Sequence, residues 1–324
     1  MWDAGLHLFF GLSIIVGGSA DKNSNHYDHL KNNVIQQIYH ESWVLQTNQG
    51  ESRCVMSKGF DLISDVHLDF WVKVENPTHK IIPQIKKFIK SILPETNHNV
   101  LVIAGDLGHY NWQNKILIEE LKQIYEHILI VAGNHDYYLV SANQEKQYRG
   151  KSLNRVIEMK ETCSLLTNVH YLDGDMVEID GITYGGVGMW YDFSYGMKEL
   201  GYSEEALYSK WWDIMNDSRL IKGLLDKSFT FGDEEKKKLD AIIDSSDVII
   251  THVGGDWSNA DRDLVSSFYY FDGSPYFSKL SGKVWCFGHT HQRSDYEAHG
   301  CRFVNAALGY PGEGKRRSAV HIQV

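Results

Sequence analysis

The chain has 324 residues, 43% of them hydrophobic and 23% charged, ordinary proportions for a globular protein of one large α/β domain or two smaller ones. A formal net charge of -10 argues against capture of long nucleic acids through bulk electrostatics, and leaves room only for a small local basic pocket. Four dispersed cysteines, Cys54, Cys163, Cys286 and Cys301, form no CxxC pair, which argues against a disulfide framework or a thiolate-bound zinc.

An apolar run at 6–16 is too short to span a bilayer, so no membrane span is expected. It has the look of a signal-peptide core followed by the small residues Gly17-Gly18-Ser19-Ala20, but Asp3 precedes it where positive charge is wanted. The expected location is therefore cytoplasmic, with export as the alternative if residues 1–20 act as an atypical signal. Residues 27–40 could form a helix. Met56 reads as a natural start, so residues 1–55 form an extension of unassigned role and 56–324 the working domain.

From residue 59 short Val- and Ile-rich runs alternate with amphipathic stretches. The pattern predicts strands at 60–64, 100–104, 128–132, 248–251 and 284–287. It predicts helices at 78–93 with Pro83 in the first turn, at 114–127, at 151–166 and at 233–244. In the 151–166 helix the apolar positions are Leu153, Val156, Ile157 and Met159. Near-continuous apolar strands between helices imply a sheet covered on both faces. A hairpin at 176–188 turning at Asp180-Gly181, with antiparallel segments at 295–298, 301–304 and 318–324, suggests a second sheet.

Each of the five buried strands delivers a polar, potentially ligating motif at its carboxyl end. They run into Asp65-Val66-His67, Gly105-Asp106, Gly133-Asn134-His135-Asp136, His252 and Gly288-His289-Thr290-His291. Ligands of open α/β sheets bind at that edge. Residues i and i+2 of an extended strand share a face, so Asp65 and His67, and likewise His289 and His291, are expected to converge. The glycines let the chain turn sharply beside an ion. Imidazoles, carboxylates and an amide oxygen without sulfur suit zinc, iron or manganese. A lone Asp-X-His or Gly-Asp is common and means little; the ordered set of five is specific.

This ordered set resembles the calcineurin-like metallophosphoesterases over roughly residues 59–324. The resemblance implies an α/β (α+β) fold, a four-layer sandwich of two mixed sheets flanked by helices, with a dinuclear metal site at the carboxyl ends of the strands. Carried over position by position, Asp65, His67 and His291 would bind one divalent ion and Asn134, His252 and His289 the other, with Asp106 bridging. His135 would face the substrate and Asp136 would orient it. Two features depart from the protein Ser/Thr phosphatases of the family: Gly105-Asp106-Leu107-Gly108-His109 lacks their Asp-Arg-Gly, and Asp136 stands where they have Glu. Many relatives have His or Pro after the single His; here the chain continues as Val253-Gly254-Gly255.

The implied activity is hydrolysis of a small phosphate ester by a hydroxide held between two divalent ions, Mn, Fe or Zn. Two dications, two carboxylates and a hydroxide sum to about +1, which attracts a phosphate anion. A phosphodiester or nucleotide-type substrate is favoured over a monoester. A non-catalytic metal-binding scaffold is the alternative of another class, and such scaffolds tend to have lost ligands that are all present here. Nine aromatics within 184–212, and a second group at Trp257, Phe268, Tyr269, Tyr270, Phe271, Tyr276 and Phe277, could stack on a base or, more simply, pack the core. Arg262 and Arg293 are candidate phosphate contacts. The oligomeric state is open.

Overall fold

Period-2 alternation sorts the strand residues between two cores. Phe60, Leu62, Val100, Val102, Leu129 and Val131 lie in one buried cluster, and Ile63, Leu101, Ile103, Ile128 and Ile130 in another. The first cluster also takes in Tyr184, Val248, Ile250, Cys286 and Val304 from a second sheet, so it is the layer between two sheets; the other lies between sheets and helices. A fully buried Val or Leu of this kind contributes about 1.5–3 kcal/mol. This is the four-layer sandwich that the sequence implied. The computed structural model describes residues 58–73, 78–94, 97–225, 230–313 and 317–324. The extension at 1–55, with its apolar run and its 27–40 helix, lies outside the described residues.

The first sheet contains β1 (Gly59–Ile63), β2 (Val100–Ile103), β3 (His127–Ile130), β4 (Val169–Tyr171) and β11 (Val320–Gln323), in the order β11-β1-β2-β3-β4. The second contains β5 (Asp175–Ile179), β6 (Ile182–Gly186), β7 (Val248–Ile250), β8 (Val284–Phe287), β9 (Ser294–Ala298) and β10 (Cys301–Asn305), in the order β5-β6-β7-β8-β10-β9. Both are mixed. β1 to β4 run parallel, with β11 antiparallel on β1. β6, β7, β8 and β10 run parallel between the antiparallel edge strands β5 and β9. The β5–β6 hairpin turns at Asp180 and Gly181, both at positive φ, as predicted.

Several expectations need correction. The segment at 318–324 joins the first sheet, pairing with β1, rather than the second. The strand β4 was not foreseen; it is only three residues long. The helices are α1 (Leu68–Trp71), α2 (Thr78–Ile92), α3 (Asn111–Leu121), α4 (Ala142–Gln147), α5 (Ser152–Ser164), α6 (Ser194–Lys198), α7 (Glu204–Ile214), α8 (Asp217–Leu220) and α9 (Thr230–Ile242). Pro83 lies inside α2 rather than in its first turn. α3 begins and ends earlier than expected, and His127 opens β3 instead. In α5, Leu153 and Ile157 are each 44% exposed, while Arg155 is buried beside Val156 and Met159. The cause is polar: the Arg155 guanidinium donates to the carbonyls of His135, Tyr138 and Gly108, which rotates its face of the helix inward. Among the described residues no helix is long and apolar enough to cross a membrane.

Candidate metal centre

The five strands that end in polar motifs belong to both sheets: β1, β2 and β3 to the first, β7 and β8 to the second. Their carboxyl ends meet at one edge of the sandwich. Asp65, His67, Asp106, His289 and His291 all have positive φ, a conformation that only a few per cent of non-glycine residues adopt. Such strain costs on the order of 1 kcal/mol or more per residue and persists where surrounding contacts over-determine it. The expected pairs do converge, but not by the geometry expected. β1 ends at Ile63, before either ligand, and curled left-handed backbone brings Asp65 and His67 together rather than a shared strand face.

Two glycines make room. Gly105 has φ +88°, and a Cβ there would press on the His252 ring. A Cβ at Gly133 would fall inside the contact radius of Asp106 Oδ1.

Two groups of donor atoms result. In one, His67 Nε2 lies 2.9 Å from His291 Nε2, and His291 Nε2 lies 3.5 Å from Asp65 Oδ1. In the other, Asn134 Oδ1 lies 3.1 Å from both His252 Nε2 and His289 Nδ1. Asp106 Oδ2 stands between the groups, 3.6 Å from His67 Nε2 and 3.4 Å from His252 Nε2. Its Oδ1 accepts the His135 amide at 2.8 Å.

The outer contacts fix which ring nitrogens carry protons. His252 Nδ1 donates to the Ala104 carbonyl at 2.9 Å, and His289 Nε2 donates to the Phe268 carbonyl at 3.0 Å. As neutral rings they therefore present the lone pairs of their inner nitrogens to Asn134 Oδ1. The amide cannot turn its NH₂ inward, because Nδ2 donates to Asp217 Oδ1 at 2.8 Å. His291 Nδ1 is held by Glu313 Oε2 at 2.8 Å, so its Nε2 lone pair faces His67. At Asn134 Oδ1 lone pairs converge on lone pairs, which calls for a cation between them. Two ligands about 2.1 Å from one ion and at right angles are about 3.0 Å apart, which matches these separations. The residues fit divalent metal ions.

The carboxylates and imidazoles of the site also shift one another's ionisation. Burial depresses the His252 imidazole, but the Asp106 carboxylate beside it, helped by Asp65, outweighs this and lifts it to about 10. Burial lowers His67 to about 4, against the pull of Asp106 and Asp65. Burial would raise Asp106, yet the surrounding histidines hold it well below the carboxylate range.

His135 reaches the cavity as expected, but its proposed orienter does not touch its ring. The Asp136 carboxylate accepts the amides of Gly133 at 2.8 Å, Asp106 at 3.0 Å and Leu107 at 3.2 Å. Asp136 therefore ties the β2 loop to the β3 loop. Burial first, and the Asp106 charge second, raise its carboxyl to about 6. The contact expected from Asp136 is made instead by His109, whose Nε2 lies 2.9 Å from His135 Nδ1, and whose Nδ1 is held by Asp69 Oδ2 at 2.8 Å. Asp136→Ala leaves three buried amides without an acceptor, at about 1–3 kcal/mol each. The expected loss is about 3 kcal/mol of stability, seen as a lowered melting temperature, with partial recovery in Asp136→Asn. A melting temperature equal to wild type, with turnover lost, would return Asp136 to the catalytic role.

The cavity over these groups has a volume of about 310 Å³ and is lined by Asp106, Asn134, His135 and His291, with Tyr138, Tyr269, Met215, Tyr310 and Glu313 around them. The Tyr310 hydroxyl lies 3.3 Å from His135 Nε2. Arg262 and Arg293 are not in this lining; they donate to the carbonyls of Glu199 and Ser318. The aromatic run is mostly core: Tyr184, Trp190, Tyr191, Phe193, Tyr195 and Trp211 are buried, and so are Phe268, Phe271 and Tyr276. Two of those rings still serve the site at one remove. Trp211 Nε1 donates to Tyr191 OH, which donates to Asp217, the residue that fixes the Asn134 amide.

Comparison with known proteins adds a family. A profile described as calcineurin-like phosphoesterase matches residues 60–293. The chain is 26% identical over 237 residues to an uncharacterized protein of Acanthamoeba polyphaga mimivirus, covering 66% of this chain and 79% of that one. It is 29% identical over 178 residues to a UPF0046 protein of Caenorhabditis elegans, covering 50% of this chain and 59% of that one. Among solved structures, the phosphopantetheinyl hydrolase of Mycobacterium tuberculosis shares the fold, with a TM-score of 0.65 at 16% identity over 82% of this chain and 96% of its own.

Proposed function

Because the chain belongs to the calcineurin-like phosphoesterase family, we propose that it hydrolyses a small phosphate ester, a diester in preference to a monoester, at two divalent ions. Asp65, His67 and His291 would hold one ion, Asn134, His252 and His289 the other, and Asp106 both. The observation that carries the reading is Asp106 Oδ2, which lies within 3.6 Å of a histidine from each donor group. The set contains nitrogen and oxygen but no sulfur, which suits manganese, iron or zinc. Ions held there would acidify a water and neutralise charge on the phosphoryl oxygens.

The chain's own part is positioning and proton supply. His135 Nε2 points into the cavity, where a leaving oxygen would need a proton. For His135 to carry a proton at Nε2, the Asp69–His109–His135 chain must hold one proton beyond its neutral state. Burial lowers the His135 imidazole, with the Asp106 carboxylate opposing it, so holding that proton depends on the 2.9 Å contact with His109, which can be donated from either side. Burial works to raise the Asp69 carboxyl, and its bonds to His109 outweigh this, so it stays anionic and compensates the shared charge. All seven proposed ligands and His135 are present in the chain, which supports turnover over a scaffold role.

Charge in the cavity favours the diester. Among its described lining residues there is no lysine or arginine, and Glu313 stands among them. A monoester dianion would lack a cationic side chain to receive its second charge; a diester carries one. Tyr138, Tyr269, Met215 and Val265 offer an apolar wall to an esterified group. The test is a panel of matched mono- and diesters, with a phosphopantetheinyl ester included, assayed with added Mn, Zn and Fe. The expected result is a kcat/KM at least about tenfold higher for the diester of each pair, roughly the value of one unmatched charge of 1.4 kcal/mol. A preference for monoesters across the panel would refute the diester assignment.

A further inference from the structure

Away from the catalytic edge, the same strand carries a second convergence of ligating groups. Asp61 is fully buried on β1, four residues before Asp65 and so on the order of 13 Å from it along extended chain. Phe60 and Leu62 face the inter-sheet core, so Asp61 faces the helices. Its Oδ2 accepts Tyr125 OH at 2.7 Å and the His98 amide at 3.3 Å. Its Oδ1 lies 2.5 Å from His321 Nδ1, and among the described residues His321 is its only ion-pair partner. Asp61 and His321 are directly opposed in the β1–β11 pair, which puts both side chains on one face.

His98 completes the group from the segment before β2. Its ring is 5.1 Å from that of His321, and it packs over Gly59, where a Cβ would stand 3.1 Å from His98 Cε1. Among the described residues the His98 ring nitrogens have no hydrogen-bond partner. One ligand atom from each of Asp61, His98 and His321 lies within 4.8 Å of the other two.

We propose that Asp61, His98 and His321 form a cation site separate from the catalytic edge, for a borderline transition ion such as zinc, which staples β11 and the segment before β2 to β1. A carboxylate and two imidazoles with an open position for water are a common zinc donor set. A buried carboxylate is costly unless paired, and a dication compensates it better than a half-exposed imidazole. His98 is half-buried and His321 exposed, which gives an ion a path in. Ligands of tetrahedral zinc are about 3.3 Å apart, so the exposed His321 ring has to withdraw from Asp61 by about 0.8 Å.

The test is zinc titration into the metal-depleted full-length chain, with the wild type and His98→Ala, His321→Ala and His321→Gln variants compared by calorimetry and equilibrium dialysis. Each variant is expected to bind one zinc fewer per chain than wild type, and to lose part of the zinc-dependent rise in melting temperature. His321→Gln keeps an N–H donor for Asp61, so it separates loss of ligation from loss of the hydrogen bond. Hydrolysis with the catalytic edge loaded by manganese should stay within about twofold in all three, as for surface changes away from a site. Wild-type zinc stoichiometry and melting response in either His98→Ala or His321→Gln would overturn the site and leave the cluster a purely polar contact.

Discussion

Replacing Asp106 with Ala is expected to reduce kcat/KM by about 10³-fold or more, the upper end of what one electrostatic group is worth, and to lower metal content more than any other single change. Its Oδ2 faces both donor groups, so its loss weakens both ions at once, whereas Asp65 or His289 touches one. Its Oδ1 accepts the His135 amide, so the proton donor loses its anchor as well. The check is metal analysis of the purified variant beside its steady-state kinetics. An Asp106→Ala protein with two tightly bound ions per chain and near-normal turnover would show that the bridging assignment is wrong.

His135→Ala is expected to behave differently. Positioned acid catalysis is typically worth about 10²–10⁴-fold. Alkyl esters, whose leaving group needs a proton, should slow by that range; aryl esters of acidic phenols should slow far less, and metal content should not change. His109→Ala and Asp69→Asn should show the same selectivity between ester types with smaller losses, about 10–100-fold, as expected when an outer partner of a working imidazole is removed. Equal losses on alkyl and aryl esters would assign His135 to binding rather than proton donation. Loss of metal would mean that it is a ligand.

The candidate metal ligands were legible because each is a local event: a buried strand, a glycine or a turn, then a polar side chain. Asp65, Asp106, Asn134 and His289 could be named from such neighbourhoods alone, although the left-handed backbone that makes Asp65 and His67 converge could not. The proton chain was not legible. Asp69, His109 and His135 come after three different strands, and nothing in the sequence shows that β2 and β3 lie side by side. The adjacent Asp136 was the natural partner by spacing, and the 3₁₀ turn at Asn134–Tyr137 aims it at backbone amides instead. Arg155 was hidden for a related reason. Apolar periodicity picks out Leu153 and Ile157, and no periodicity rule gives an arginine the inward position. The hairpin at Asp180-Gly181 was the opposite case, since its turn chemistry is complete within two residues.

That the donors come from two sheets makes the centre sensitive to slip. His67, Asp106 and Asn134 ride on the first sheet, His252, His289 and His291 on the second, and the layer between them is hydrocarbon: Leu62 and Val102 against Ile250 and Val304. Within such a layer sideways sliding is resisted only through the fit of the side chains; at the edge that carries the donors the backbone bonds of Leu308 to Ser64 and Gly309 to Asp65 add a direct tie. A displacement of half an ångström along that plane would alter every distance between the two halves of the centre while breaking no hydrogen bond within either sheet. The shape of a few aliphatic side chains, remote from any ester, would thereby share with those backbone bonds the setting of the distance between the two proposed ions.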